Sequence, residues 1–135
     1  MAIWTESQLT SIDKMLNPKS VAIVGATPRM QYGGRMLNAM LKAKDNIRIY
    51  PVNPRAAAEH EYEEIMGMKA YPSISDLPES PDLVGIVVPY NRVLDVLKES
   101  REKGAKSAIV ISAGFSERGD DTRHDLQGEL GSFAR

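Results

Sequence analysis

The chain has no cysteine, no excess of charge of either sign and no apolar run of membrane-spanning length. The first absence removes disulfides, thiolate metal sites, iron–sulfur clusters and cysteine nucleophiles, and it permits a cytoplasmic location. Seventeen basic residues against eighteen acidic ones leave a net charge of −1. That balance argues against a nucleic-acid or anionic-membrane partner, which would call for a basic excess. Apolar runs such as Leu83 to Pro89 fall far short of the roughly 20 residues a membrane helix needs. The opening MAIWTESQLT lacks a basic region followed by an apolar stretch, so no secretion signal is expected. What is present is 135 residues, 42% apolar and 26% charged. That suits one domain able to bury about two-thirds of its unfolded surface. The expectation is a soluble cytoplasmic protein, with a homo-oligomer left open.

Four apolar runs alternate with helix-like segments. Ser20 to Val24, Ile47 to Tyr50, Leu83 to Val88 and Ser107 to Ile111 are short, and the runs at 83–88 and 107–111 are apolar on both faces. Strands with no polar alternation are buried on both sides, as in a parallel sheet. A fifth, weaker strand is expected at Met68 to Tyr71. Between the first two strands Met36, Leu37, Met40 and Leu41 share one helical stripe. The seven methionines fit ordinary core filling. After Pro89, Asn91 reads as an N-cap for a helix with Val93, Val96 and Leu97 on one face, ending before Gly104. Asp120 or Asp121 would cap a last helix carrying Leu126, Leu130 and Phe133. A further helix is expected from about Ser7 to Leu16. Residues 55–64 have high helix propensity but a poor apolar face, and read as an exposed helix or a mobile insertion with no site implied. Strand–helix–strand units with right-handed crossovers give a doubly wound α/β domain, in the expected strand order 3-2-1-4-5.

In such sheets ligands bind beyond the carboxyl ends of the strands, where the strand order reverses. Four loops meet there. In the first, Gly25 permits a tight turn, Thr27 offers a hydroxyl, and Gly33-Gly34 opens a helix whose N-terminal N–H groups suit an anion. The alternative is that these glycines serve strand–helix packing alone. In the second, Tyr50-Pro-Val-Asn-Pro-Arg55 has no acid where an NAD protein places one for the ribose diol, and carries a guanidinium instead. A cation there suits a phosphorylated ribose, as in NADP or coenzyme A; the alternative is a solvated surface charge. His60 and His124 lack metal-ligand spacing and read as surface histidines. Glu61, Glu63 and Glu64 read as a solvated face. No nucleophile–base pair is supported by spacing, and no metal site is expected.

The succession NPKSVAIVGAT, YGGRMLNAML, IYPVNPR, MGMKAYPSISDLPESPDLVGIVVP and GAKSAIVISAGFSE resembles the N-terminal CoA-binding domain of NDP-forming acyl-CoA synthetases. That superfamily includes ADP-forming acetyl-CoA synthetases, the succinyl-CoA synthetase alpha subunit and ligases for aromatic acids such as ferulate. The resemblance covers about residues 15–135 and implies a Rossmann-like fold holding coenzyme A across the carboxyl edge of the sheet. It implies that Gly25, Ala26, Thr27, Arg29 and Gly33 contact CoA phosphates, and that Asn53, Pro54 and Arg55 supply a turn with a cation. It implies further that Val88 and Pro89, with Tyr90, lie along the ligand. Ile111, Ser112, Ala113, Gly114 and Phe115 are placed nearer the thiol.

Two departures stand out. Ala56 to Glu61 looks like an insertion after the V-N-P-R turn. The family's phosphate-carrying histidine lies in a later domain, and neither His60 nor His124 matches it. The resemblance thus implies residues 1–17 as a lead-in helix and 18–135 as the CoA-binding part of a longer ligase. ATP or another nucleoside triphosphate, with Mg, would be handled by other domains or a partner subunit. Alternatives are a stand-alone CoA-binding regulator, the CoA-binding part of a protein acetyltransferase fusion, and a dinucleotide sensor using NADP.

Overall fold

The computed structural model describes residues 3–29, 32–43, 46–112 and 128–133. Helix α1 (Glu6–Leu16) is closed by a reciprocal cap: the Thr5 hydroxyl accepts from Gln8 N at 3.1 Å and Gln8 Oε1 accepts from Thr5 N at 2.8 Å. It buries none of its residues and lies beside the last strand. Strand β1 (Ser20–Val24) is buried at all five positions. It pairs in parallel with β2 (Arg48–Val52) on one side and with β5 (Leu83–Ile86) on the other. β5 in turn pairs with β6 (Ser107–Val110), giving a four-stranded parallel sheet in the order β2-β1-β5-β6. Helix α2 (Tyr32–Ala43) makes the β1–β2 crossover and α3 (Val93–Lys103) the β5–β6 crossover.

Successive residues of β1 point to opposite faces, and the two faces take different partners. Val21 and Ile23 pack with Leu37 of α2 and with Tyr62 and Ile65. Ala22 and Val24 pack with Ile74, Leu77 and the α3 residues Val93 and Val96. The strand order reverses at β1, between β2 and β5. Of the α2 stripe, Leu37 is fully buried and Met36 and Met40 are partly so, but Leu41 is 40% exposed. α3 ends as expected, at a left-handed Gly104 with φ +91°.

Three expectations are corrected. Residues 68–71 do not extend the parallel sheet. β3 (Glu64–Ile65) and β4 (Met68–Lys69) form a small antiparallel hairpin, turned by Met66 and Gly67 at φ +53° and +79°. Positive φ at both turn residues fits the primed hairpin turns that match strand twist. Tyr71 then makes one parallel bridge to Val52, donating to Pro51 O and accepting from Asn53 N, and Pro51 has no N–H to continue the ladder back toward residue 69. The observed order is therefore 2-1-4-5 with the third strand reduced to that bridge. Asn91 does not cap α3. It sits inside a 3-10 turn, Tyr90–Arg92, and Arg92 occupies the cap position without a side-chain bond. Residues 54–62 form two 3-10 turns rather than an exposed helix, and they bury Tyr62 to 2% exposure. The last predicted helix is seen only as helical residues 128–133; Asp120, Asp121 and Leu126 lie outside the described residues.

At the sheet edge Arg48 grips Glu79 with both ends of its fork, Nε to Oε2 at 2.6 Å and Nη2 to Oε1 at 3.0 Å. The Tyr50 hydroxyl donates to the same carboxylate. These donors, Arg48 first, hold the Glu79 carboxyl down to about 2. Because the folded value lies below the ordinary one, the stabilisation is present above about pH 4.5 and is lost as pH falls toward 2. Glu79→Gln should therefore unfold at lower urea concentration than wild type at neutral pH, with the gap closing between pH 4.5 and pH 2. A gap that persists unchanged to pH 2 would assign the effect to packing.

Candidate functional site

The carboxyl ends of β1, β2 and β5 are drawn together by backbone groups. Gly25 N donates to Val52 O at 2.9 Å, and Val87 N donates to Val24 O at 2.8 Å. Gly25 has φ +92°, and a Cβ there would overlap the Val87 carbonyl. A Cβ at Gly33 would in turn overlap the Gly25 carbonyl, so the first turn of α2 lies directly on the loop that leaves β1. Both glycines thus have a packing reason, and the same close approach brings the start of α2 to the strand ends. Asn53 links the first two loops: its Nδ2 donates to Ala26 O at 2.9 Å and its Oδ1 accepts from Arg55 N at 3.0 Å.

A cleft of about 320 Å³ opens at this edge. Five of the expected residues line it: Gly25, Asn53, Pro54, Val88 and Pro89. Its other wall was not foreseen. Ile74 lines it from the segment before β5, and Arg92, at the cap of α3, lines it together with Val96 and Glu99 of that helix. The volume is at the low end for ligand pockets and suits one segment of a large ligand. A larger hollow of about 700 Å³ lies along β6, between α3 and residues 128–133, and no described residue of the four loops lines it.

The other expected residues among those described do not line the cleft. The Ala26 methyl is fully buried, so only its backbone is available. The Thr27 hydroxyl accepts from Arg29 N at 2.9 Å and donates to Arg29 O at 3.0 Å, which turns the loop and uses its proton locally. Arg29 is exposed. Ser112 is half-buried, just after the Ile111 N to Ile86 O bond of 2.8 Å that prolongs β6. Ala113, Gly114 and Phe115 lie outside the described residues, as does His124. His60 is exposed and its Nδ1 lies 3.0 Å from Glu63. Among the described residues no acidic, histidine or cysteine cluster could hold a metal. No helix among them is long and apolar enough to cross a membrane.

Arg55 is anchored rather than loose. Its Nη1 donates to the Tyr62 hydroxyl at 2.9 Å, its guanidinium carbon lies 5.3 Å from that ring's centre, and its Nε is 3.3 Å from Glu59. The Tyr62 bond first, then the Glu59 charge, hold the guanidinium above its ordinary pKa. The side chain is still 54% exposed, with donors to spare. The segment expected to be an insertion with no site implied thus supplies both partners of the expected cation.

The chain matches the model of a family described as the CoA binding domain over residues 19–125. It is 36% identical to a trans-feruloyl-CoA synthase from an unknown prokaryotic organism, over 91% of this chain and 16% of that one. It is 42% identical to the ADP-forming acetate–CoA ligase of Methanocaldococcus jannaschii, over 87% of this chain and 15% of the relative. In three dimensions it superposes on the dinucleotide-forming acetyl-coenzyme A synthetase 1 of Ca. Korarchaeum cryptofilum, solved with phosphate and ADP. The TM-score is 0.80 at 34% identity, over 93% of this chain and 25% of that one. The chain therefore spans about one-sixth of the length of the curated relatives it matches.

The backbone packing at Gly33 has a direct test. Gly33→Ala forces the Gly25 carbonyl to move, and overpacking of this kind costs about 1–3 kcal/mol. Urea unfolding should show that loss, and a larger one for Gly33→Val. Unchanged stability would mean that the loop yields freely and the glycine is reserved for a ligand.

Proposed function

This chain belongs to the CoA binding domain family, and on that premise we propose that the carboxyl edge of its sheet holds coenzyme A for an NDP-forming acyl-CoA synthetase. It is a CoA-binding module homologous to the N-terminal domain of those enzymes. One observation carries the placement of the ligand: the loops after β1, β2 and β5 converge on a single cleft, and each brings its own residues to it.

In this reading Gly25 and Gly33 let a phosphate approach the backbone at the start of α2, where N–H groups and the helix dipole favour an anion. Arg55, oriented by Tyr62 and Glu59, and Arg29 add positive charge. Asn53 and Pro54 hold the second loop in place, and Val88 and Pro89 lie along the ligand. Ser112, with Ala113, Gly114 and Phe115, is assigned to the thiol end. The reaction of the whole protein would join an acid to CoA at the expense of a nucleoside triphosphate. Nucleotide, Mg and the phosphate-carrying histidine belong to other domains or a partner subunit. These residues bind and orient; none attacks or transfers a proton.

Calorimetry with CoA and NADP side by side tests the ligand, and CoA should bind well ahead of NADP. Dephospho-CoA, lacking the ribose 3′-phosphate, tests the cation. Loss of a charge-assisted bond to phosphate weakens binding about ten- to hundredfold. Arg55→Ala should show that loss with CoA and little change with dephospho-CoA, and the difference should shrink as salt rises. Equal weakening of both ligands would move Arg55 to the pyrophosphate or to loop support. Tighter binding of NADP than of CoA would overturn the reading.

A further inference from the structure

The two edges of the sheet differ in how they meet solvent. β2 is blunted in three ways: Pro51 has no N–H to offer outward, its carbonyl already accepts from Tyr71 N at 2.9 Å, and Arg48 with Glu79 sets an ion pair at its start. β6 has none of these devices. Residues 107–112 contain no charge and no proline, and no described strand pairs with their outer side. Ile111 N donates inward to Ile86 O, so by alternation the backbone groups of Ala108 and Val110 point away from the sheet. The exposed apolar surface gathers at the same edge. Among the described residues, every exposed large hydrophobic side chain except Leu41 lies either at 109–111 or on α1 and its lead-in, Ile3 and Trp4. α1 lies beside β6. On the other face Val110 continues into the hollow lined by Leu130 and Phe133.

Ile109-Val110-Ile111 reads the same in both directions, so it is complementary to itself. Antiparallel pairing centred on Val110 sets Val110 opposite its own copy and each Ile109 opposite an Ile111, which are favourable cross-strand pairs. A net charge of −1 opposes such an approach very little. We propose that the open edge of β6 is an interface for a second copy of this chain, paired antiparallel about a two-fold axis at Val110 so that two four-stranded sheets become one of eight. The two Val110 residues exchange N–H to C=O bonds, and Ile109 and Ile111 leave solvent on one face. The apolar residues of α1 add to the strand toward the about 800 Å² per partner that a lasting pair buries. The association closes at two copies, because a two-fold contact uses both β6 edges and the β2 edges stay blunted. It stands apart from the CoA reading.

Sedimentation velocity from micromolar to millimolar protein should show the 14.9 kDa chain giving way to a species of twice that mass. Val110→Lys sets two charges face to face on the axis and should raise the dissociation constant at least about a hundredfold, with cooperative unfolding retained. Val110→Pro removes only an outward N–H, so it should also weaken the pair, and it carries the test if the lysine variant does not fold. Amide exchange reads the backbone pairing itself. The Val110 amide should slow as protein concentration rises, whereas the Ile109 amide, bonded into the ladder with β5, should stay slow at every concentration. A monomer throughout the range would overturn the proposal and leave the edge to a strand from a different chain. So would a Val110 amide that exchanges freely in the doubled species, or assemblies that grow past two copies. Association lost in Leu9→Lys but kept in Val110→Lys would place the contact on α1 alone and overturn it as well.

Discussion

At Gly25 three stretches of backbone occupy nearly the same place. The residue turns out of β1 with positive φ, the Val87 carbonyl occupies the space a Cβ would take, and the first turn of α2 rests on its own carbonyl at Gly33. Side chains at 25 or 33 would hold the strand ends and the helix apart. Their absence lets α2 start against the sheet, lets β5 follow β1 closely, and leaves a cleft rather than a plug at the point of reversal. The packing role of these glycines is met directly, and the phosphate approach proposed above would need the same condition: a helix N-terminus can face a ligand at the strand ends only if the chain beneath it is bare.

The two faces of the sheet then divide the electrostatic work. On the α2 face, residues 54–62 fold back as 3-10 turns, bury Tyr62 and use its hydroxyl to hold Arg55 beside Glu59. Fixing a guanidinium in this way reduces the rotamer entropy that a long cation otherwise loses when it meets an anion. On the α3 face the cleft carries Arg92 and Glu99 with apolar walls between them. The Arg48–Glu79–Tyr50 cluster lines neither the cleft nor the Arg55 contacts. It ties the edge strand β2 to the loop before β5.

Much of this was legible in the residues. The unbroken apolar run at 83–86 marks a strand buried at every position, and Gly104 marks the end of α3, because burial and φ constrain residue type locally. The same kind of run at 107–110 reads as buried on both faces, but Ile109 and Val110 of β6 are exposed. The Asn53–Arg55 turn was recognisable for the same reason: Pro and Asn restrict the backbone on their own. The hairpin at 64–69 was not legible, since Met66 with positive φ is an uncommon choice and two-residue strands carry no periodicity. Nor was the burial of Tyr62, which lies in a polar stretch whose single aromatic finds its place only against the far side of the sheet.

The sequence by itself determined the parallel α/β architecture, the loops that end its strands and the family to which it belongs. These rest on short-range rules: alternation or its absence, turn chemistry and the spacing of a few motifs. Which stripe of α3 faces the cleft, which aromatic supports Arg55 and how far the third strand extends were decided only by the tertiary structure. Arg92, Val96 and Glu99 share a helical stripe in any sequence reading, but Val96 alone explains that stripe as core. Only the angle at which α3 crosses the sheet, set by Val93 and Val96 packing on Ala22, Val84 and Ile86, carries the ends of the stripe past the core and into the cleft. Such an angle depends on contacts between residues distant in the chain, and no local pattern encodes it.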